Sequence, residues 1–305
     1  KLLVNIYDEF KVDVYDKDGK ILCEDYRGQK DHFVRRTADF KLAEAEGHDL
    51  KEGFEEKIYV SKKMEENMYF YGLGEKTGHL NKKGYHYVNW NTDDPKPHGE
   101  TFDRLYKSIP FLICLNNENA FGIFFDNHFE THFDMGRDNS KYYYFSAADG
   151  NLDYYFIYGP SIKKVVEGYT KVTGTMPLPQ LWTLGYQQCR WSYDTEERLM
   201  EVAESFRDKG IPCDTLYLDI DYMDGYRVFT WDNERFKDPK AMIKKLNEMG
   251  FKLVTIIDPG VKVDKGYNIY DEGLKNGYFA TDNQGIVYRN EVWPGDSVYP
   301  DFLNS

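Results

Sequence analysis

Residues 216–232 read LYLDIDYMDGYRVFTWD, and this stretch decides the fold of the second half of the chain. Leu216, Leu218 and Ile220 occupy alternate positions, so on a β-strand they face one side while Asp219 faces the other. An unbroken apolar face is typical of a parallel strand that is covered by helices. Asp219 then lies at the carboxyl end of the strand, where parallel α/β proteins build their sites. A lone Asp would more simply cap the next turn, but four carboxylates among aromatic side chains favour a site for a polar ligand.

Strands and helices alternate on both sides of this stretch. The predicted strands are 181–188, 213–220 and 251–257, and the predicted helices are 195–209, 239–249 and 267–275. Asp238 is the expected N-cap of the second helix because Pro239 follows it. A hairpin is expected over 279–292. This pattern predicts the first part of a (β/α)8 TIM barrel, with the strand ends converging at 187–191, 219–224 and 258–261.

Residues 1–158 have the pattern of an antiparallel β-sandwich. Short alternating runs such as Val4–Tyr7 and Phe111–Leu115 recur, with turn residues between them. The acidic stretch Glu44–Asp49 is predicted to be a solvated loop. Apolar residues at helical spacing then predict a helix that starts near Pro160. The expected domains are a β-sandwich at 1–158, a helical linker at 159–180 and the barrel portion at 181–305.

The composition argues against two classes of partner. The 305 residues carry a formal net charge of -13 and contain no Lys- or Arg-rich run, whereas nucleic acids and anionic membranes both need a basic surface. A neutral ligand such as a sugar is compatible with this charge. No apolar run reaches the ~20 residues of a transmembrane helix, and the start of the chain is too polar for a secretory signal. We therefore expect a cytoplasmic location.

The cysteines and histidines predict neither a disulfide framework nor a metal site. The four cysteines are scattered and form no C-x-x-C pair. All seven histidines lie at or before His132, so the second half of the chain has none for catalysis or metal binding. We expect no metal and no cofactor.

Two tryptophans near the expected strand ends suggest what the polar ligand is. Trp191 and Trp293 offer flat apolar faces, and Asp219 and Asp258 offer hydrogen-bond acceptors. A sugar ring has an apolar C–H face and a rim of hydroxyl groups, so it needs this pairing of an aromatic ring with a carboxylate. Simple core packing is the alternative interpretation for either tryptophan.

Four stretches of the chain resemble the signature of glycoside hydrolase family 31, the family of α-glucosidases and α-xylosidases. Their order and approximate spacing match the family over essentially the whole chain. They are Tyr71–Glu75 (YGLGE), Gln188–Trp191 (QCRW), Asp219–Asp232 (DIDYMDGYRVFTWD), and Val292–Gly295 (VWPG) with Pro300–Phe302 (PDF).

The resemblance implies a β-sandwich followed by a (β/α)8 catalytic barrel, and hydrolysis of α-glucosidic bonds at the non-reducing end with retention. Retaining enzymes use two carboxylates roughly 5–5.5 Å apart. In this family both are Asp, and the nucleophile lies in a W-x-D-M-N-E-P motif on the fourth barrel strand. That motif is absent from the sequence. We therefore expect both catalytic Asp residues beyond Ser305 and a barrel truncated before strand 4, so that this chain alone is inactive.

The resemblance also implies a set of substrate-binding residues. Asp219 would hold hydroxyl groups of the bound glucose. Trp191 would form a pocket wall that influences linkage preference, with Trp favouring α-1,6 substrates such as isomaltose. Asp93, on a loop of the sandwich that reaches over the barrel, would touch the second sugar. The expected lining residues of the pocket are Ile220, Ile256 and Trp293.

These observations predict a retaining α-glucosidase that acts on oligosaccharides such as isomaltose and maltose. An α-xylosidase of the same family remains an alternative, as does a non-catalytic carbohydrate-binding module in which the sandwich carries the function. The expected partner is an α-glucoside oligosaccharide. We expect neither a nucleic acid nor a membrane as a partner, and assembly into a homo-oligomer remains possible.

Overall fold

A computed structural model of the protein describes residues 1–28, 58–94, 97–116 and 119–303. The chain forms two compact units, Lys1–Met176 and Pro177–Ser305. The predicted loop at Glu44–Asp49 lies outside the described residues. The predicted domain boundaries at 158 and 180 stay predictions.

The described residues of the first unit form antiparallel strands in three sheets, with the orders β1-β2-β3, β4-β10-β9-β6 and β11-β8-β7-β5. The strands are β1 Leu3–Tyr7, β2 Lys11–Tyr15, β3 Ile21–Cys23, β4 Ile58–Lys63, β5 Met68–Gly74, β6 His86–Asn89, β7 Ser108–Asn116, β8 Asn119–Phe125, β9 Thr131–Asp134, β10 Tyr142–Ala147 and β11 Tyr154–Tyr158.

The two four-stranded sheets pack face to face, which confirms the predicted β-sandwich. Aromatic side chains fill the space between them: the ring centroids of Phe70 and Tyr143 are 5.0 Å apart, and those of Phe125 and Phe145 are also 5.0 Å apart. All four residues are buried. Alternation along β5 explains this packing, because Phe70 points into the core while its neighbour Tyr69 is exposed.

A helix covers the outer face of the sheet β11-β8-β7-β5. Helix α1, Ile162–Thr173, buries Val165, and its Tyr169 stacks on Phe111 with ring centroids 3.9 Å apart. Gly122 on β8 permits this close approach, because a Cβ there would lie 2.8 Å from Cγ1 of Val165. The helix therefore packs within the first unit.

The second unit contains a parallel sheet of order β12-β13-β14. Its strands are β12 Gln187–Gln188, β13 Thr215–Leu218 and β14 Lys252–Thr255, and its helices are α2 Glu196–Asp208, α3 Pro239–Glu248 and α4 Asn268–Asn276. Leu216 and Leu218 are fully buried in one cluster with Leu199 of α2 and Leu246 of α3. The apolar face of β13 is thus covered by helices, as predicted. This is the start of a TIM barrel, and the strands described do not close into one.

The bounds of α2, α3 and α4 match the prediction within one residue, and local capping explains where α2 and α3 begin. The Thr195 hydroxyl accepts a hydrogen bond of 3.1 Å from the backbone N–H of Arg198. Asp238 accepts one of 3.0 Å from Ala241 at the start of α3, and Pro239 occupies the first turn.

The predicted strand at 181–188 is wrong over its first half. Leu181–Leu184 form a 3-10 turn in which the Thr183 hydroxyl donates to the Gln180 carbonyl at 2.7 Å. Leu181 and Leu184 are 84% and 70% exposed, so no buried face holds this segment extended. Only the two residues of β12 are strand.

The predicted hairpin at 279–292 is displaced along the chain. The strands that pair are β16 Arg289–Val292 and β17 Gly295–Val298, and β15 Val261–Lys262 adds to β17. Residues 279–288 contain an isolated bridge between Thr281 and Val287. The turn between those two residues is closed by Asp282, whose Oδ1 accepts from the backbone N–H groups of Gln284 and Ile286.

Candidate functional site

The carboxyl ends of the parallel strands lie along one edge of the sheet. Gln188 pairs with Leu216 and Leu218 with Thr255, so the residues that follow each strand leave the sheet side by side. The backbone N–H of Ile256 still donates to the Leu218 carbonyl at 3.0 Å. This edge therefore brings together Cys189, Asp219 and Ile256.

Asp219 lies half-buried at the end of β13 and begins a 3-10 turn, Ile220–Tyr222. Its Oδ1 accepts a hydrogen bond of 2.7 Å from the backbone N–H of Ile220, so the residue does cap the next turn. Burial and the charge of Asp219 raise the pKa of the neighbouring Cys189 thiol. Within the described parts of the chain no hydrogen bond engages Oδ2, and this oxygen can accept a bond from a ligand.

Asp221 holds the two aromatic side chains at this edge. Its Oδ2 accepts a hydrogen bond of 3.0 Å from Nε1 of Trp191, and its Oδ1 accepts one of 3.2 Å from the Tyr226 hydroxyl. The Asp221 charge is the main cause that raises the pKa of Tyr226. Arg235 donates to the Asp221 carbonyl at 3.2 Å. The Trp191 ring is fixed at its polar edge and remains 70% exposed, so its apolar face is open to a ligand.

The loops that follow β13 and β14 are tied to each other. The Tyr222 hydroxyl donates to the Ile256 carbonyl at 2.8 Å. Nε of Arg227 donates to Oδ2 of Asp264 at 3.0 Å. A site on these loops therefore has preformed walls.

Backbone strain is concentrated in the same loops. Tyr226, Phe229 and Asp258 have φ values of 61°, 63° and 52°. In residues 177–303 these are the non-glycine residues with positive φ. Side chains disfavour this left-handed region, and strained residues of this kind cluster at functional sites.

The structure places the remaining predicted residues in different settings. Ile220 is only 8% exposed and belongs to the core cluster of Leu216 and Leu218. Ile256 is half-buried at the end of β14. Trp293 is 65% exposed at the tip of the β16–β17 hairpin. Asp93 is an exposed residue of the first unit, on the segment after β6.

The hairpin that carries Trp293 packs against the loop after β14. A Cβ on Gly260 would lie 2.9 Å from Cγ2 of Val292, the residue before Trp293. Burial and the charges of Tyr288 and Asp258 raise the pKa of Tyr299. The segment around Asp258 is therefore a neighbour of the hairpin.

Sequence reasoning missed the positioning role of Asp221 and the closeness of Cys189 to Asp219. The only signal for Asp221 was its spacing, two residues after Asp219 in the same stretch. Its bond to Trp191 joins residues 30 positions apart, and no local pattern encodes that contact.

Among the described residues, no group of three or more His, Cys, Asp or Glu side chains could hold a metal ion. In that part of the chain no helix has both the length and the apolar character to cross a membrane. The cytoplasmic location stays a prediction.

Two family models match the chain. The glycosyl hydrolase 31 N-terminal galactose mutarotase-like domain matches residues 1–134, and the glycosyl hydrolases family 31 TIM-barrel domain matches residues 176–305. The chain belongs to glycoside hydrolase family 31. The resemblance found in the sequence motifs is confirmed.

Several family 31 proteins are similar to this chain. Alpha-glucosidase 2 of Bacillus thermoamyloliquefaciens is 44% identical over 296 residues, which is 97% of this chain and 35% of that protein. An alpha-glucosidase of Saccharolobus solfataricus is 35% identical over 81% of this chain and 35% of its own length. A family 31 dextranase of Flavobacterium johnsoniae, solved in complex with glucose, has a TM-score of 0.82 and 32% identity over the whole of this chain and 35% of the dextranase. The chain thus spans about a third of the length of these relatives.

Proposed function

We propose that this chain forms part of the substrate pocket of a retaining α-glucosidase, which releases non-reducing-end glucose from oligosaccharides such as isomaltose and maltose. The observation that carries the proposal is the pairing of Asp219 and Trp191 at one edge of the parallel sheet. Asp219 keeps one carboxylate oxygen for a ligand, and Asp221 fixes the Trp191 ring with its face open.

This pairing suits the two surfaces of a glucose unit. The Asp219 carboxylate is an acceptor for sugar hydroxyl groups, and hydrogen bonds to a charged acceptor are the stronger kind. The Trp191 ring offers an apolar face for the C–H side of the sugar. In the proposed pocket Ile220, Ile256 and Trp293 line the remaining walls. The contact of Asp93 with the second sugar stays a prediction.

The reacting carboxylates are assigned outside these 305 residues. Asp219 is proposed to hold glucose hydroxyl groups, and both carboxylate oxygens of Asp221 already accept hydrogen bonds, from Trp191 and Tyr226. A retaining mechanism needs one carboxylate that attacks the anomeric carbon and another that gives and takes the proton. The W-x-D-M-N-E-P motif that carries the family nucleophile is absent from the sequence.

The linkage preference is proposed from Trp191. The names of the relatives include α-glucosidases, a dextranase and a probable glucan 1,3-α-glucosidase of Oryza sativa, so membership of the family does not select one linkage. A mutant of this dextranase was solved in complex with isomaltotriose. We infer that Trp191 favours α-1,6-linked substrates, with maltose as the slower substrate.

The intact gene product tests this proposal on isomaltose, maltose and an α-xyloside. We expect release of α-glucose, detected by NMR before mutarotation, and a loss of roughly ten- to a hundredfold in kcat/KM for Asp219→Asn, since a hydrogen bond to a charged acceptor contributes about 1.5–3 kcal/mol. Asp208→Asn, an exposed carboxylate at the end of α2, is the matched control with unchanged turnover. Absence of turnover on every α-glucoside contradicts the proposal, and turnover of the xyloside alone assigns the protein to the α-xylosidases.

A further inference from the structure

The first unit has a cleft of its own. It has a volume of about 540 Å³ and opens where the ends of β6 and β8 meet the starts of β7 and β9. This volume is within the range of ~300–1,000 Å³ that is typical of small-ligand sites. All of its lining residues belong to Lys1–Met176.

Several polar atoms in the walls of this cleft are buried without a partner. They are Oδ1 and Nδ2 of Asn89, Oγ of Ser108 and Oγ1 of Thr131, none of which has a hydrogen bond within the described part of the chain. Asn89 is 5% exposed and Thr131 is 1% exposed. These two residues pair directly in the register of β6 and β9, so their side chains share one face of the sheet. Buried polar groups are nearly always bonded, so the wall of this cleft contains hydrogen-bonding capacity that the described residues leave unused.

Aromatic rings border the same cleft. Trp90 and Phe129 are each 50% exposed, although both are large apolar side chains. The Phe129 ring packs against Gly150, where a Cβ would lie 3.0 Å from the ring. Gly150 also has a positive φ of +93°. An apolar sugar face could stack on either ring.

The walls are preformed. Nδ2 of Asn127 donates to the Asp149 carbonyl at 2.8 Å, and its Oδ1 accepts from the Phe129 backbone N–H at 2.9 Å. On the other side, Oδ1 of Asn91 accepts from the Ser108 backbone N–H at 3.1 Å. A ligand would therefore meet fixed groups and would lose little free energy to ordering them.

The charge of the lining selects the class of ligand. Asp126 is the one carboxylate among the lining residues described, and none of them is Lys or Arg. This surface disfavours anions such as phosphates. We propose that the cleft is a second carbohydrate-binding site, which takes one or two neutral hexosyl units of an oligosaccharide. The proposal uses residues of the first unit alone and does not rest on the function proposed for Asp219 and Trp191.

Calorimetric titration of the intact gene product tests this site. Asp219→Ala is used as the background, because it removes the glucose contact proposed at β13. Isomaltotriose and maltotriose are the probes. We expect a binding event to remain in this background and to weaken at least about tenfold on adding Trp90→Ala, as is typical of an aromatic anchor.

The second variant removes a single hydroxyl group. Thr131→Val has nearly the same shape, so the protein should fold with an unchanged or higher melting temperature because an unpartnered buried group is lost. It should still weaken binding by roughly three- to tenfold. Tyr69→Ala, an exposed aromatic on β5, and Thr101→Val, an exposed threonine, are the matched controls with unchanged affinity.

Two results would overturn the second site. One is the absence of binding in the Asp219→Ala background. The other is binding that neither Trp90→Ala nor Thr131→Val weakens, which would leave water or another protein segment as the occupant of the cleft. A different result would contradict the function proposed for Asp219 and Trp191: turnover of α-glucosides would survive Asp219→Ala.

Discussion

Nε1 of Trp191 donates a hydrogen bond of 3.0 Å to Oδ2 of Asp221, across 30 positions of the chain. The bond joins the segment after β12 to the loop after β13, and it orients the exposed indole ring at the edge of the sheet where Asp219 also lies. Asp221 thus positions the side chains of Trp191 and Tyr226.

Removing the Asp221 carboxylate should loosen the pocket wall. We expect Asp221→Ala to raise KM for isomaltose about tenfold with a smaller change in kcat, because a hydrogen bond to a charged group contributes about 1.5–3 kcal/mol. Asp221→Asn retains one acceptor and should recover part of the loss. Steady-state kinetics of the intact gene product measure both values, and equal KM in all three proteins would argue against positioning.

Trp191 should control the choice between linkages. We predict that Trp191→Tyr lowers the ratio of kcat/KM for isomaltose over maltose by roughly tenfold, because one altered pocket contact is worth about 1–3 kcal/mol. An aryl α-glucoside serves as the control substrate, since it lacks the second sugar and its turnover should change less. An unchanged isomaltose-to-maltose ratio would remove the linkage inference and leave the glycosidase class intact.

The pKa of Cys189 should report its closeness to Asp219. Burial and the Asp219 charge raise that pKa, so the thiolate forms only at a higher pH than in an ordinary cysteine. We expect iodoacetamide to modify Cys189 slowly at neutral pH, and Asp219→Asn to speed the reaction. Cys189 is the exposed thiol while Cys23, Cys114 and Cys213 are buried. Peptide mass analysis with Cys189→Ser as control locates the label, and an equal rate in the Asp219→Asn variant would contradict the contact.

The stability of the first unit should depend on the protonation of Asp134. Burial, followed by the charge of Asp138, raises the pKa of Asp134 from 3.8 to about 7 in the folded protein. The folded state therefore binds a proton that the unfolded state releases at lower pH. The stabilisation by this proton is complete at pH values below the pKa of Asp134 in the unfolded chain. It is lost as the pH rises through the pKa of Asp134 in the folded protein.

The expected loss for Asp134 is on the order of 4 kcal/mol across this pH range, because one pKa unit corresponds to about 1.4 kcal/mol. Urea unfolding at several pH values measures it. Asp134→Asn keeps the shape and removes the titration, so its stability curve should be flatter. Parallel curves for the two proteins would rule out Asp134 as the cause.

Two helix starts offer a matched test of capping. The Thr195 hydroxyl caps α2, whereas Ser161 precedes α1 without any side-chain capping bond. We expect Thr195→Ala to lower the free energy of unfolding by about 1 kcal/mol and Ser161→Ala to change it by only a few tenths. Chemical denaturation of each variant measures the difference, and similar losses at both positions would show that the capping bond is not the cause.

The sequence alone determined the elements whose signals are local. The parity of Leu216, Leu218 and Ile220 predicted the buried face of β13, and Asp238 with Pro239 predicted the start of α3. Period and capping act within a few residues, so they can be read without knowing the fold. The motif at Asp219–Asp232 identified the family for the same reason.

Only the tertiary structure decided which side chains meet. The turn at Leu181–Leu184 replaced a predicted strand because its leucines find no buried face there. The bond from Trp191 to Asp221 and the unpartnered group of Asn89, Ser108 and Thr131 join residues that are distant in sequence. Such contacts depend on how strands are ordered within a sheet, and the periodicity of any single strand contains no information about its neighbours.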